Sequence, residues 1–266
     1  MSKNQEYVFC VDSDGCAMDT MTYKHQLFFG PLAARFFEVD NKEGFLEKWD
    51  NINLYSRTRG VNRFVGLVMA LDGLGVKDIE RLKQWVNTTT SLSNVSLEKE
   101  LTLNTSDDLQ KALDWSNEVN RQIKAYEGDA QAFSRALSGL EKLHELGKVY
   151  VVSSANKEAV EEEWIDQGLI NHIDDLYCQD CGKKEDVIAE LIKEGYRPEN
   201  ILMVGDSPGD LAAAEQNHIA FYPILVGKEA ESWQYLEETF ATSFTIKNIS
   251  PKELENLKQE FWENLD

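Results

Sequence analysis

Four aspartates in two short motifs are the residues of this sequence best suited to chemistry. The motif DSDG supplies Asp12 and Asp14 directly after an apolar run, and the motif GDSPGD supplies Asp206 and Asp210. Carboxylates brought close together repel one another unless a cation or a shared proton lies between them. DSDG alone is also compatible with a strand-end turn, where Asp and Gly serve only the backbone. Together, the motifs predict a site for Mg²⁺, which prefers carboxylates, water and a phosphate oxygen.

A phosphate also needs hydrogen-bond donors and a positive charge, and two further segments supply them. Ser153, at the end of KVYVV, offers a hydroxyl group and backbone N–H groups where a helix is predicted to begin. Lys183 and Lys184 precede the helix that leads into ILMV, and a lysine there would balance the charge of a transferring phosphoryl group. Taken singly, Ser153 is an ordinary helix cap and the lysines are ordinary solvated residues. The combination carries the prediction.

Apolar runs followed by helical patterns predict the strands that position these residues. The three clearest are Tyr7–Val11, Lys148–Val152 and Ile201–Val204, and two more are predicted at Ile173–Tyr177 and Ile219–Leu225. Strands that alternate with helices form a parallel sheet, and ligands of such sheets bind beyond the carboxyl ends of the strands. The predicted fold class is therefore α/β, with a Rossmann-like parallel-sheet core. Its helices are predicted at Lys157–Gly168, Lys184–Gly195 and Pro251–Leu265, and before Gly147 with Asp129 as the cap.

About a hundred residues after the first strand lack any clear strand and show helical periodicity instead. We expect a core domain of residues 1–20 and 129–266 and an inserted all-helical cap domain of residues 21–128, which could move as a lid. The polar segment Thr88–Thr105 is predicted to be a loop. The predicted cap helices are Lys24–Phe37, Val61–Leu71, Val76–Val86 and Ser106–Tyr126.

The composition restricts the partners. Acidic residues number 47 and basic residues 27, so the net charge is −20, which repels nucleic-acid phosphates and anionic lipids. No apolar run reaches the roughly 18 residues that a membrane span needs, and the sequence start MSKNQEY lacks the features of a signal peptide. We therefore predict a cytoplasmic protein that binds neither nucleic acid nor membrane. The sequence does not define its oligomeric state.

The cysteines Cys10, Cys16, Cys178 and Cys181 are interpreted as free thiols. The last two form a CQDC motif, but a structural zinc site usually combines two closely spaced pairs, and Cys10 and Cys16 are not such a pair.

Four segments, in this order and spacing, resemble the motifs of the haloacid dehalogenase superfamily of phosphotransferases. FCVDSDGCAMDT resembles its first motif, VYVVSSAN its second, GKKEDVI its third and ILMVGDSPGD its fourth. The resemblance covers roughly residues 5–20 and 130–225. It implies that Asp12 is the nucleophile that accepts the phosphoryl group, and that Asp14 is the general acid/base. Asp14 also binds the metal through its backbone carbonyl.

The same resemblance assigns the remaining core residues. Asp206 completes the Mg²⁺ ligands contributed by Asp12 and Asp14, and Asp210 braces the site. Ser153 binds the phosphoryl oxygens, with Ser154 and Asn156 as further candidate contacts. The family pattern, a lysine, two residues and then two apolar residues, fits Lys184 better than Lys183, which is kept as a candidate substrate contact. Because the true dehalogenases and phosphonate-cleaving members lack the second aspartate, Asp14 indicates a phosphate ester as the substrate.

Three arginines in the predicted cap are candidate substrate ligands. Arg57, Arg59 and Arg63 lie in Asn51–Leu71, a window without any acidic residue, although a solvated helix face is an equal alternative. The stretch RTRGVNR loosely resembles a cap loop of sugar-phosphate mutases in the superfamily. The predicted function is Mg²⁺-dependent hydrolysis of a small phosphomonoester, with a sugar-phosphate mutase as the alternative and a non-catalytic interaction module ranked lower.

Overall fold

A five-stranded parallel sheet carries both aspartate motifs. The computed structural model describes residues 3–126, 128 and 130–266. The strands are β1 (Val8–Val11), β2 (Lys148–Val152), β3 (Asp175–Tyr177), β4 (Ile201–Gly205) and β5 (Ala220–Pro223). Their spatial order is β3-β2-β1-β4-β5. The predicted α/β class and all five predicted strands are confirmed, with bounds that differ by at most two residues at either end.

The described residues divide into two compact units, of which residues 3–21 and 130–266 form the core unit and residues 22–126 with 128 form the helical unit. The predicted domain boundary at Asp129, and the predicted capping role of that residue, lie outside the described residues. No helix in the described part of the chain is long and apolar enough to cross a membrane.

The helical unit contains no strand among its described residues. Its core combines aliphatic residues with large aromatic side chains, among them Phe45, Trp49, Phe64 and Trp115. Two π-helical segments, Lys24–Phe29 and Asn51–Tyr55, interrupt its helices. The α-helices are α1 (Met21–Tyr23), which begins at the last core residue, α2 (Gly30–Phe36), α3 (Lys42–Asp50), α4 (Arg63–Gly73), α5 (Glu80–Thr88), α6 (Asn94–Leu103) and α7 (Asp107–Lys124).

The prediction of a loop over Thr88–Thr105 was wrong, because α6 lies within it. Ser93 caps this helix by accepting a hydrogen bond from the Ser96 N–H group, and Leu97 is its one fully buried side chain. Such a helix shows little apolar periodicity, so its polar composition concealed it.

Helices of the core unit cover both faces of the sheet. These helices are α8 (Ala136–Leu146), α9 (Lys157–Asp166), α10 (Lys184–Lys193), α11 (Pro208–Gln216), α12 (Glu229–Tyr235), α13 (Ala241–Thr245) and α14 (Pro251–Asn264). Phe9 and Val11 of β1 pack into one apolar cluster with α8, α9, α12 and α13, while Val8 and Cys10 pack into the other with α10, α11 and α14. All four β1 residues are buried, as expected for a central parallel strand.

Candidate active site

The register of the sheet brings the predicted motifs to one edge. Val8 of β1 pairs with Lys148 of β2 and with Ile201 of β4, so these three strands end at the same level. The ladder continues into Asp12, whose N–H group donates to the Val204 carbonyl at 3.0 Å. The residues that follow the three strands therefore face a common region beyond their carboxyl ends.

A buried cluster of three carboxylates lies at this edge. Oxygen atoms of Asp12, Asp206 and Asp210 all lie within 4.8 Å of one another. The Lys184 Nζ atom lies 2.8 Å from Asp12 Oδ2 and 2.6 Å from Asp210 Oδ1. When all four groups are ionised, three negative charges face one positive charge. The excess of two negative charges and the purely oxygen donor set both fit a divalent cation such as Mg²⁺.

The pKa values of Asp12 and Lys184 are strongly shifted, because both groups lie in a buried cluster of charges. Burial raises the pKa of Asp12 well above its ordinary value, and the Asp210 and Asp206 carboxylates raise it further against the opposing effect of Lys184. For Lys184, burial lowers the pKa, but Asp12 and Asp210 more than reverse this, so its pKa is raised and it is cationic. A bound cation would stabilise the ionised form of Asp12 in the same way.

Asp210 is held in place by the start of α11. Its Oδ2 atom accepts hydrogen bonds from the N–H and hydroxyl groups of Ser207 at 3.0 and 2.8 Å, which forms a capping box. Gly205 leaves room for it, because a Cβ atom at that position would collide with the Asp210 carboxyl group. Both oxygens of Asp210 thus accept bonds from the protein, one from Lys184 and one from Ser207.

Asp14 does not belong to the three-carboxylate cluster. Its carboxylate accepts a hydrogen bond from the Thr20 hydroxyl group. Gly15 turns the chain after it with φ of 83°, a conformation that glycine adopts readily. Asp14 is therefore fixed beside the cluster by a residue of the same loop.

The candidate phosphate-binding residues at the end of β2 differ in their surroundings. Ser153 is buried, and its Oγ atom accepts from the Ala155 N–H group at 3.2 Å. Ser154 is exposed. Asn156 caps α9 by accepting from the Ala159 N–H group at 3.2 Å.

The two lysines of the third motif are clearly separated. Lys184 reaches Asp12, whereas Lys183 is exposed and lies 3.8 Å from Glu185. Of the two lysines, Lys184 is therefore the one that contacts the carboxylate cluster.

Two of the three candidate arginines bind other groups of the helical unit. Arg59 is buried and donates from Nη1 to the Leu54 carbonyl at 2.7 Å. Arg63 donates from Nη1 to Ser116 Oγ at 3.0 Å and Asn120 Oδ1 at 2.7 Å. Arg59 and Arg63 are thus not part of a solvated face.

Arg63 is also desolvated. Its guanidinium lies 4.8 Å from the centre of the Phe29 ring, and burial lowers its pKa to about 10, which leaves it charged at neutral pH. Arg57 is exposed. As substrate ligands, the three arginines remain a prediction.

Sequence reasoning missed four residues that fix the site: Ser13, Thr20, Trp164 and Ser207. The role of Ser207 could have been predicted from the sequence, since a serine three residues before an acidic residue at a helix start is the pattern of a capping box. Trp164 carries no local signal, because its partner Ser13 lies 151 residues earlier in the chain.

All four cysteines carry free thiols, as the sequence suggested. Cys10, Cys16 and Cys178 are buried and Cys181 is exposed. Burial raises the pKa of Cys178 to about 11, so this thiol is protonated at neutral pH.

Comparisons with known proteins agree with this geometry. The sequence profile of the haloacid dehalogenase-like hydrolases matches residues 8–218. Among curated proteins, none matches significantly. Two solved structures with the same fold are proteins predicted to be phosphoglycolate phosphatases. One, from Lactobacillus delbrueckii subsp. bulgaricus, is 17% identical, with a TM-score of 0.52 over 82% of this chain and 85% of that one. The other, from Haemophilus somnus, is 13% identical, with a TM-score of 0.51 over 82% and 85%.

Proposed function

The chain belongs to the haloacid dehalogenase-like hydrolases, and within that family we propose that it is a Mg²⁺-dependent phosphatase of a small phosphomonoester. The observation that carries the proposal is the contact of Lys184 with both Asp12 and Asp210 beside Asp206. This arrangement surrounds a buried carboxylate with the charges that a phosphoryl transfer needs.

In the proposed reaction, a carboxylate oxygen of Asp12 attacks phosphorus and the bond from phosphorus to the leaving oxygen breaks. Asp14 donates its proton to that oxygen. Asp14 then accepts a proton from water, which attacks the phosphorus of the aspartyl phosphate and restores the Asp12 carboxylate as inorganic phosphate leaves. Thr20 orients Asp14 for both proton transfers through the hydrogen bond that it donates.

Lys184 and the residues around it stabilise charge during these steps. Lys184 holds Asp12 on one side and is itself held by Asp210, which Ser207 fixes from behind. Ser153 supplies a hydroxyl group for the phosphoryl oxygens, with Ser154 directly after it and Asn156 three residues further along. Removing Asp12, Asp210 and Lys184 from water strengthens the contacts between them.

A magnesium ion would be held by Asp12, Asp206 and the backbone carbonyl of Asp14. When bound, it neutralises phosphoryl oxygens and the excess negative charge of the carboxylates. Asp210 braces Lys184, since both of its oxygens already accept hydrogen bonds from protein groups.

The substrate is proposed to be a small phosphorylated metabolite, and a cytoplasmic location is proposed with it. Arg57, Arg59, Arg63 and Lys183 are the candidates for contact with the remainder of such a substrate. Of the three arginines, Arg57 is the exposed one, so it is the first to vary.

Phosphate release from a panel of phosphorylated metabolites, with Mg²⁺ and with excess EDTA, tests the proposal. We expect release with at least one substrate, its loss in EDTA and its recovery with added Mg²⁺. Conversion of a sugar phosphate to its isomer with little phosphate released would identify a mutase instead. Undiminished turnover in EDTA would exclude the proposed mechanism, and absence of both turnover and Mg²⁺ binding would favour a non-catalytic module.

A further inference from the structure

A buried hydrogen bond joins α9 to the loop that carries the two catalytic aspartates. The indole N–H group of Trp164 donates to the Ser13 Oγ atom at 2.8 Å, and both side chains are fully buried. Ser13 stands between Asp12 and Asp14, and none of the four sequence motifs includes Trp164. The bond therefore links the aspartate loop to a helix that contributes no other side chain to the proposed reaction.

Ser13 is fixed at three points. Its side-chain oxygen is the acceptor in the bond with Trp164, because an indole nitrogen can only donate. Its carbonyl accepts from the N–H groups of Cys16, Ala17 and Met18 at 3.2, 3.0 and 2.9 Å. Its own N–H group donates to Asp12 Oδ1 at 2.8 Å. A displacement of the Ser13 backbone therefore moves the hydrogen bond that orients the Asp12 carboxylate.

A second indole fixes the far side of the same loop. Trp233 of α12 donates from Nε1 to the Cys16 carbonyl at 2.9 Å. Gly139 of α8 gives it room, since a Cβ atom there would collide with the Trp233 ring. Trp164 acts at the residue between the aspartates, whereas Trp233 acts four residues beyond Asp12.

We propose that Trp164 and Ser13 are positioning residues, whose hydrogen bond sets the orientation of the Asp12 carboxylate for attack on phosphorus. This inference rests on the proposed function. Small displacements of a nucleophile from a reactive geometry are costly, since errors of about 1 Å reduce rates by about 10²-fold. Loss of the bond changes the angle of a carboxylate that Lys184 still holds, so we expect a smaller effect of about tenfold.

The test compares Trp164→Phe, Ser13→Ala and the double variant. Each single variant is expected to lower kcat about tenfold with KM within about twofold, because positioning affects the transition state more than binding. The double variant is expected to be no slower than the single ones, since both remove the same bond. Multiplicative losses in the double variant, or a change in KM alone, would overturn the proposal.

Trp115→Phe is the matched control. Trp115 is also fully buried and donates its indole N–H group to a carbonyl, that of Phe29 at 3.1 Å, but it lies in the helical unit. We expect Trp115→Phe and Trp164→Phe to lower the melting temperature by similar amounts, and only Trp164→Phe to lower kcat. Equal losses of kcat would mean that the Trp164 effect is a general consequence of weakened packing, and the proposal would be wrong.

A readout without turnover separates this proposal from the proposed function. The indole ¹⁵N–¹H signal of Trp164 is identified as the one lost in Trp164→Phe. We expect it to shift when wild-type protein receives Mg²⁺ and beryllium fluoride, an analogue of a phosphoryl group on a carboxylate, and to shift far less in Asp12→Asn. If the wild type releases no phosphate from any substrate, the proposed function fails. The indole signal then decides the positioning proposal, which a shift supports and an unchanged signal overturns.

Discussion

Lys184 in the core unit and Arg63 in the helical unit are both partly buried cations, and their partners differ. Lys184 contacts the carboxylates of Asp12 and Asp210, whereas Arg63 contacts the Ser116 hydroxyl group, the Asn120 amide and the Phe29 ring. The consequence appears in their pKa values. The pKa of Lys184 is raised by its carboxylates, although burial opposes this, while burial lowers the pKa of Arg63 to about 10.

The difference separates two uses of a buried cation. At the sheet edge, Lys184 compensates a group of like charges that would otherwise destabilise the fold. In the helical unit, Arg63 joins helices through neutral groups and has no carboxylate partner among the described residues. A buried positive charge indicates a reactive site when it is surrounded by an excess of carboxylates, and indicates packing when its partners are neutral.

The sharpest test of the carboxylate region is Asp12→Asn, which removes the nucleophile and keeps the shape. We expect kcat to fall by about 10⁴-fold or more, the scale seen when an enzyme loses its nucleophile. For Asp14→Asn, we expect kcat to fall by about 10²- to 10⁴-fold, because this variant lacks the proposed general acid/base. In EDTA, Asp12→Asn should melt at a higher temperature than the wild type, because one of three crowded charges is gone. Steady-state kinetics and calorimetry measure both effects, and near-wild-type turnover of Asp12→Asn would contradict covalent catalysis there.

The two lysines test whether contact with carboxylates decides function. We expect Lys184→Ala to lower kcat by about 10²- to 10³-fold, as for loss of one charge-stabilising group in an active site. Lys183→Ala, which removes an exposed candidate contact with the substrate, should lower kcat far less than Lys184→Ala, since exposed ion pairs contribute little. The reverse order would assign the third motif to Lys183.

The effect of Mg²⁺ on the free energy of unfolding tests whether the carboxylate cluster binds the ion. Mg²⁺ at about 100 times its dissociation constant should stabilise the protein by about 2.7 kcal/mol. Asp206→Asn should remove most of this gain, since Asp206 belongs to the carboxylate cluster. Thermal unfolding of the wild type and of Asp206→Asn, with and without Mg²⁺, measures this gain in stability. An equal gain in Asp206→Asn would place the ion elsewhere.

Arg63→Ala tests the neutral region and should have the smallest effect on kcat. It leaves the Ser116 and Asn120 side chains without their donor and removes the contact with Phe29, so we expect a loss of about 1–2 kcal/mol in the free energy of unfolding. Arg57→Ala, the exposed control, should change it by less than about 0.5 kcal/mol. If Arg63→Ala instead raised KM for a doubly charged substrate at unchanged stability, the contrast between the two buried cations would fail.

The parallel sheet and its reactive edge were predictable because their signals are local. A buried parallel strand is a short apolar run, and β1, β2 and β4 each end in a motif whose chemistry is visible in the residues themselves. Because β1 and β4 are adjacent and end at the same level, Asp12 and Asp206 lie close together. Lys184 was preferred to Lys183 from spacing alone, and the geometry agrees with that preference.

The remaining parts depend on contacts that spacing does not encode. The acid-free window of Arg57, Arg59 and Arg63 indicated a local excess of positive charge, but the sequence could not tell whether these side chains face inward or outward. Trp164 and Ser13 meet only because the sheet brings α9 beside the β1 loop. Both cases require the tertiary structure. The first depends on the direction in which the arginine side chains point, and the second on a contact between residues far apart in the sequence.

The register of β1 also constrains how the protein is made. Val8 pairs with Lys148, 140 residues later, and with Ile201, 193 residues later. At roughly 5–20 residues per second, the ribosome needs on the order of ten seconds after β1 emerges before its first partner exists. During that time neither strand partner of the apolar segment Val8–Val11 has been synthesised. The helical unit can already form its own short-range contacts. The nascent chain therefore leaves β1, the strand that precedes Asp12, without strand partners for longer than any other strand of the sheet.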